Sequence, residues 1–251
     1  MPHLNNLSGA AGEYANRNPS ADFGGQGKCH LIGLTGGIAT GKSTVSSYLT
    51  NQYQLTILDA DGYAREALAV GTPAYHATLN RYGSTLKKID GSLDRSRLGA
   101  LIFANPQEKA WLESQIHPWV RHCLQTAIAA SERPILILDI PLLFEAGFTD
   151  LVTSIWVVFC SDEQQLKRLM ERNHLSAQEA RQRIASQWPL RAKVARADFL
   201  LDNSQDLPFL YGQIDQAVSA MTAAVRQDRS PQTGRSEFNH DPLTGPNLGS
   251  G

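Results

Sequence analysis

The chain has 251 residues, of which 42% are hydrophobic and 19% are charged, and its formal net charge is −1. These values are typical of a globular protein with one α/β domain carrying insertions, or with two small domains. The nearly neutral charge gives no sign of a nucleic-acid-binding surface, so a small-molecule substrate is favoured over a nucleic-acid partner.

The cysteines and the apolar segments exclude several classes of protein. Cys29, Cys123 and Cys160 are widely spaced and no C-x-x-C pattern occurs, so neither a disulfide framework nor a zinc site is indicated. No apolar stretch approaches transmembrane length, and the N-terminus shows no basic segment followed by an apolar run. We therefore expect a cytosolic protein with no membrane partner.

The first apolar run, 29–34, predicts a short buried strand, and a glycine-rich segment follows it directly. This segment fits the phosphate-binding pattern G-x-x-x-x-G-K-[ST] and precedes a sequence that can open a helix. Its backbone N–H groups and the helix dipole would bind the phosphates, Lys42 would contact the β- and γ-phosphates, and Ser43 would ligate Mg²⁺. The sequence therefore predicts a nucleoside triphosphate site formed by Gly36, Gly37, Ile38, Ala39, Thr40, Gly41, Lys42, Ser43 and Thr44.

Four more short apolar runs, at 55–58, 134–138, 154–159 and 199–201, follow along the chain. Because these runs are continuous rather than alternating, they predict a parallel sheet that helices cover on both faces. Polar residues follow the carboxyl ends of the runs, where open α/β sheets bind their ligands. We predict a three-layer α/β fold with a five-stranded parallel sheet.

Two segments are longer than a simple crossover between strands needs. The first contains about three helical patterns, which His117-Pro118 interrupts, and the second contains a charged pair of helices with a capping box at Ser176 and Glu179. We expect the first to hold a substrate and the second to be a lid. We predict disordered ends at 1–28 and 228–251 and one folded domain at 29–227. Within that domain we predict a core at 29–60, 131–161 and 196–227, a helical insertion at 61–130 and a lid at 162–195.

Two carboxylates, Asp59 and Asp61, follow the second predicted strand. One of them can orient and deprotonate an attacking hydroxyl group, while the other supports Mg²⁺ or a substrate hydroxyl. Arg65 lies four residues after Asp61 and would pair with a substrate phosphate or hold Asp61 ionised. The alternative is that both aspartates only cap the following helix.

Further along the chain, Asp139 ends a predicted strand and resembles a Mg²⁺-binding Walker-B acid, although a simple turn residue is the alternative. Arg168 and Arg172 are spaced to share one face of a helix in the lid, where they would neutralise charge on the triphosphate. A solvated helix face is the alternative for each arginine. His117 has no evident catalytic partner in the sequence, and either a structural role or contact with a ligand is open.

These motifs together resemble those of the dephospho-CoA kinase family. The segments that carry the resemblance are Gly33-Leu34-Thr35-Gly36-Gly37-Ile38, Asp59-Ala60-Asp61 with Arg65, Ile102-Phe103-Ala104-Asn105-Pro106, His117-Pro118, Asp139-Ile140-Pro141-Leu142-Leu143-Phe144-Glu145, Gln187-Trp188-Pro189-Leu190 and Ala197-Asp198-Phe199-Leu200-Leu201-Asp202-Asn203. They span about residues 29–225. Two departures are Ala39-Thr40, where many relatives have Gly-Ser, and Arg191, where an acidic residue is common.

The resemblance implies a P-loop kinase fold with a core, a helical CoA-binding domain and a lid. It implies transfer of the γ-phosphoryl group of ATP to the ribose 3′-hydroxyl of dephospho-CoA, with Asp61 as general base. By the same resemblance Arg65 would help hold the acceptor together with Asp59 and His117, Lys42 and Arg168 would stabilise the transferred group, and Arg172 and Asn203 would contact ATP.

Two other functions remain open at the level of the sequence. Another small-molecule kinase, acting on a nucleoside monophosphate, shikimate or gluconate, would share the loop and the lid. A non-catalytic nucleotide-binding regulator would be expected to carry an Asn-Lys-x-Asp run, which the chain lacks. For the favoured function we expect ATP and dephospho-CoA as the small-molecule partners, Mg²⁺ as cofactor and a monomeric protein.

Overall fold

The structure is a computed structural model that describes residues 29–228. The two segments predicted to be disordered, 1–28 and 228–251, lie outside the described residues, apart from Asp228, which ends the last helix.

A parallel sheet of five strands forms the centre of the fold, as predicted. The strands in chain order are β1 (His30–Gly36), β2 (Thr56–Asp59), β3 (Ile135–Asp139), β4 (Ser154–Phe159) and β5 (Phe199–Asp202). Their spatial order is β2-β3-β1-β4-β5, so β1 is the central strand. In this register Asp59 lies beside Asp139 at the carboxyl edge of the sheet, where the sequence predicts ligand binding.

Nine α-helices within residues 29–228 surround the sheet. In chain order they are α1 (Lys42–Tyr53), α2 (Ala60–Ala67), α3 (Pro73–Tyr82), α4 (Arg95–Ala104), α5 (Pro106–Ala129), α6 (Asp162–Asn173), α7 (Ala177–Ala185), α8 (Leu190–Val194) and α9 (Leu207–Asp228). None of the described helices is both long and apolar enough to cross a membrane.

The hydrophobic core lies on both faces of the sheet. One cluster joins β1 and β4 to helices α1 and α9, through residues such as Leu49 and Ile214, both fully buried. The other joins β2 and β3 to α5, through residues such as Leu138 and Leu124. These two clusters make the three-layer architecture that continuous apolar strands favour.

The helical insertion differs from its prediction in two respects. It contains four helices rather than about three. One of them, α3, begins at Pro73, where the Thr72 hydroxyl accepts a hydrogen bond from the Tyr75 N–H. The expected interruption at His117-Pro118 is also wrong, since α5 continues through Pro118. A proline inside a helix costs about 3 kcal/mol. Burial of Leu112 and Val120 on either side of it offsets that cost.

The predicted lid contains the two expected helices, α6 and α7. The expected capping box of α7 is present, since Ser176 and Glu179 exchange both hydrogen bonds. The two ends of this segment pack on the core, because Leu169 of α6 is fully buried and Val194 of α8 lies in a cluster with Val157 and Phe159 of β4.

Candidate active site

A cavity of about 640 Å³ lies over the loop that joins β1 to α1. The loop itself forms its floor, with residues 36–43 all in contact with the space. Six residues from other elements complete the wall, namely Asp61, Pro141, Arg168, Glu171, Arg172 and Gln187. The structure therefore brings the predicted phosphate loop, one of the two paired aspartates and both predicted arginines to one site.

Close packing explains two of the glycines in the loop. A Cβ at Gly36 would lie 2.5 Å from the backbone oxygen of Val158 on the neighbouring strand, so only glycine fits there. Gly41 caps α1 with a φ of 99°, a conformation that favours glycine. Ala39 also has a positive φ, 62°, without being glycine. The loop thus turns tightly and points the N-terminus of α1 at the cavity, where it favours an anion.

Side chains from distant parts of the sequence fix the backbone of the loop. The Gln165 amide donates to the Ile38 carbonyl (2.8 Å), and the Ile38 N–H donates to Oε1 of Gln187 (2.9 Å). The buried Asn203 amide donates to the Thr40 carbonyl (2.9 Å). Asn203, expected from the resemblance to contact ATP, thus braces the loop in this structure.

Lys42 forms an ion pair with Asp139, whose other carboxylate oxygen accepts a hydrogen bond from the Ser46 hydroxyl (2.6 Å). Asp139 is 7% exposed, so both of its oxygens are used inside the protein. Ser43, by contrast, is exposed at the cavity. The two residues predicted to hold Mg²⁺ are thus both next to Lys42. Ser43 follows it in the chain, and Asp139, from a distant part of the sequence, contacts its side chain.

The structure separates the roles of the two paired aspartates. The Asp59 side chain caps α2 by accepting from the Asp61 N–H (2.9 Å) and pairs with the Arg65 guanidinium (3.1 Å). Capping was the alternative interpretation, and for Asp59 it describes the geometry. Asp61 instead lines the cavity. Arg65 forms its ion pair with Asp59 rather than with Asp61. Its charge nevertheless lowers the pKa of Asp61, in the direction of the expected role of holding Asp61 ionised.

The environment of Asp61 favours its neutral form more than water does. Surrounding protein removes water from the carboxylate, and this desolvation raises its pKa above the ordinary value. The positive charge of Lys42 opposes the shift, whereas the negative charges of Asp59 and Asp139 add to it. A carboxylate whose pKa lies above the usual range is a better proton acceptor, as a general base requires.

The two arginines of α6 differ in how they are held. One Nη of Arg168 donates to the Asn203 carbonyl (3.0 Å), and the other is buried with no hydrogen-bond partner among the described residues. Arg172 is exposed, and its Nε donates a hydrogen bond to Oδ1 of its neighbour Asn173 (3.0 Å). Arg168 thus contributes a positive charge held in the cavity wall, which suits a phosphate group.

His117 lies apart from this arrangement. Its ring packs edge-on against Phe148, with 5.6 Å between the ring centroids, and it is not among the described residues that line the cavity. Burial lowers the pKa of the imidazole, and the nearby Glu113 carboxylate opposes that shift. The observed geometry is that of a packed, mainly neutral histidine.

A family model for dephospho-CoA kinase matches residues 30–208 of the chain, which include every element of the site described above. The chain belongs to the dephospho-CoA kinase family. The fold that the resemblance implied is therefore the fold of this family. The family makes the chain a transferase that uses ATP, so a non-catalytic regulator is no longer supported.

Individual relatives agree with the family assignment. The dephospho-CoA kinase of Synechococcus elongatus is 53% identical over 194 residues, which cover 77% of this chain and 93% of that protein. The dephospho-CoA kinase of Trichormus variabilis is 54% identical over 189 residues, covering 75% and 96%.

Two solved structures share the fold over most of the chain. Protein TT1252 of Thermus thermophilus superposes with a TM-score of 0.65 at 32% identity, covering 78% of this chain and 98% of its own. Dephospho-CoA kinase from Campylobacter jejuni superposes with a TM-score of 0.59 at 27% identity, covering 77% and 98%.

One part of the site was not predicted from the sequence. Lys193 is fully buried, pairs with Glu145 (2.8 Å) and donates to the carbonyl of Gly36 at the start of the phosphate loop (3.2 Å). The backbone N–H of Trp188 donates to the same carboxylate oxygen (2.9 Å), and the Trp188 ring stacks on Phe144. Both segments belong to motifs of the family, but nothing in either segment alone indicates that they meet.

Proposed function

We propose that the chain phosphorylates the ribose 3′-hydroxyl of dephospho-CoA with ATP, giving coenzyme A and ADP, and that Asp61 is the general base. The position of Asp61 carries this proposal, because its carboxylate lines the same cavity as the phosphate loop while Asp59 is engaged in a cap and an ion pair. A hydroxyl group bound next to Asp61 would face the γ-phosphate of a nucleotide held by the loop.

On the nucleotide side, the residues of the loop would bind the phosphates through their backbone N–H groups. Lys42 stands in the cavity wall and would contact the β- and γ-phosphates, its place set by Asp139. Arg168 and Arg172 line the same cavity and would neutralise charge as the phosphoryl group is transferred. Because the lid carries both arginines, its closure would also exclude water from the reaction.

The exposed hydroxyl group of Ser43 suits a Mg²⁺ ion, which prefers oxygen ligands and is held in kinases by one or two protein groups together with the phosphates. Asp139, whose two oxygens contact Lys42 and Ser46, would hold the ion through a water molecule. Bound there, Mg²⁺ would neutralise charge on the β- and γ-phosphates.

On the acceptor side, we propose that the insertion at 61–130 holds dephospho-CoA and that 162–195 forms the lid. Arg65 is 59% exposed in its side chain and pairs with a carboxylate that is 53% exposed, so the pair is weakly held and its guanidinium is available to the acceptor. His117 contacting the acceptor remains a prediction, as do the cytosolic location and the monomeric state.

The proposal is tested by the release of ADP from ATP and Mg²⁺, with dephospho-CoA, AMP, shikimate or gluconate as acceptor. We expect turnover only with dephospho-CoA. Asp61→Asn is expected to lower kcat by about 10²- to 10⁴-fold, the usual contribution of a general base, with little change in the KM for ATP.

Asp59→Asn is the matched control, because it removes a carboxylate of the same type two residues away. It is expected to lower kcat much less and to affect mainly the KM for the acceptor, since it frees Arg65. Turnover with another acceptor would overturn the substrate, and a larger loss of kcat in Asp59→Asn than in Asp61→Asn would overturn the base.

A further inference from the structure

Lys193 is the feature that the proposed mechanism leaves unused, although it is fully buried next to the cavity. Its ammonium group contacts Oε1 of Glu145 (2.8 Å), the carbonyl of Gly36 (3.2 Å) and the carbonyl of Pro141 (3.2 Å). A lysine ammonium has three N–H donors, so each of them has a partner. This complete pairing fixes the position of the ammonium group, whereas Oε2 of Glu145 is buried with no hydrogen-bond partner among residues 29–228.

The partners of Lys193 are parts of the cavity rather than of the distant core. Gly36 ends β1 and begins the phosphate loop, and both Gly36 and Pro141 line the cavity. The third partner, Glu145, also accepts from the backbone N–H of Trp188 (2.9 Å). Lys193 therefore joins the start of the loop to the chain that leaves β3.

The same connection returns to the loop from its other side. Trp188 follows Gln187, whose Oε1 accepts from the N–H of Ile38 at the tip of the loop (2.9 Å). A continuous series of contacts thus runs from one part of the loop to another. It begins at Gly36, passes through Lys193, Glu145 and the 187–188 backbone, and ends at Ile38. A shift of Lys193 would therefore reach the loop at two places, Gly36 and Ile38.

Stability alone does not account for this arrangement. A buried ion pair is weak evidence for stability, because an apolar pair of similar volume often stabilises a fold as well or better. The ion pair does, however, fix the two carbonyls at defined distances, which an apolar pair would not.

We propose that Lys193, together with Glu145, is a positioning residue that sets the geometry of the phosphate loop for binding the nucleotide phosphates. It acts through Gly36 and Pro141 and has no contact with substrate. This inference rests on the proposed function only in that the cavity binds nucleotide.

The test uses the full chain with the pair replaced by apolar residues, Lys193→Met with Glu145→Leu, so that no buried charge is left alone. Asp215→Asn is the matched control, since it also removes a carboxylate that accepts two hydrogen bonds, here from the hydroxyl groups of Tyr48 (2.9 Å) and Tyr53 (2.7 Å), but lies on α9, outside the cavity and outside the segments proposed to hold the substrates. The measurements are the Kd of MgADP by calorimetry, the KM for ATP and for dephospho-CoA, and the urea midpoint. Should the apolar pair not fold, Lys193→Gln with Glu145→Gln takes its place.

We expect the folded double variant to bind MgADP about 10- to 100-fold more weakly, the range for losing hydrogen bonds to a charged group. The KM for ATP should rise in parallel, while the KM for dephospho-CoA changes less than about threefold and Asp215→Asn changes neither. A folded double variant that binds MgADP as the wild type does would overturn the proposal, as would equal rises in both KM values. A wild type that binds MgADP but does not phosphorylate dephospho-CoA would refute the proposed function and leave this inference standing.

Discussion

Replacing Gly41 by alanine should destabilise the protein through two separable effects at one point of the phosphate loop. Gly41 has a φ of 99°, and a Cβ built there would lie 2.0 Å from Nδ2 of Asn203. The same Nδ2 donates the buried hydrogen bond to the Thr40 carbonyl (2.9 Å). The new methyl group therefore meets an amide that cannot move without breaking its bond.

The magnitude follows from these two effects. Holding a residue other than glycine at such a φ costs about 1–3 kcal/mol. Displacing the Asn203 amide leaves a buried carbonyl without its partner, which costs about another 1–3 kcal/mol. Gly41→Ala should thus lower the free energy of unfolding by roughly 2–6 kcal/mol, a large part of the stability of an ordinary domain.

A double-mutant cycle measured by urea unfolding separates the two effects. Asn203→Ala alone should cost about 1–3 kcal/mol, since it also leaves the Thr40 carbonyl unpaired. In the double variant the clash is absent and only the backbone strain is added to that loss. The two substitutions should therefore be less than additive by about 1–3 kcal/mol.

Additivity within about 0.5 kcal/mol would refute the reasoning, because it would mean that the methyl group and the amide do not compete for the same space. A cost for Gly41→Ala below about 1 kcal/mol would refute it as well, since neither the strain nor the clash would then be present.

Two further predictions concern the titration of two carboxylates, Asp61 and Glu108. Because desolvation raises the pKa of Asp61, kcat should fall as the pH is lowered, with a midpoint above the ordinary pKa of aspartate. The pH profile of kcat measures this fall, and it should be missing from the residual activity of Asp61→Asn. In the insertion, hydrogen bonds from Arg81 and Tyr82 lower the pKa of Glu108 from 4.5 to about 2. Its stabilising effect is therefore present above pH 4.5 and is lost towards pH 2, so Glu108→Gln should lower the Tm at pH 7 and the difference should vanish near pH 2. A Tm difference that stays constant over this range would contradict the assignment of that pair.

The sheet and the loop could be predicted because their signals are local. Each strand is a continuous apolar run of a few residues, and the loop has four fixed residues in eight positions. The capping box at Ser176 is local in the same sense. Pro118 gave a misleading local signal. The free-energy cost of a proline inside a helix is offset by side-chain packing, and the local sequence pattern does not reveal that packing.

The supports of the site could not be predicted because they join residues far apart in the chain. The contact of Lys193 with the Gly36 carbonyl spans 157 positions, and that of Asn203 with the Thr40 carbonyl spans 163. Neither a lysine nor an asparagine carries a pattern that reveals such a partner. The residues alone also left open which of Asp59 and Asp61 faces the ligand, and only the family resemblance favoured Asp61. Both residues precede or open the same helix, and the cavity that Asp61 lines is what distinguishes their positions.

Helix α5 has a mechanical consequence for the way the insertion is attached. Its first half packs through Leu112 in the cluster of the insertion, its second half packs through Leu124 against the sheet, and Ile116 contacts both clusters. Pro118 lies between the two halves and cannot donate a backbone hydrogen bond, so this turn is the least stiff part of the helix. We therefore expect α5 to bend at the turn that contains Pro118. Any movement of the insertion relative to the sheet should be a rotation about that single turn.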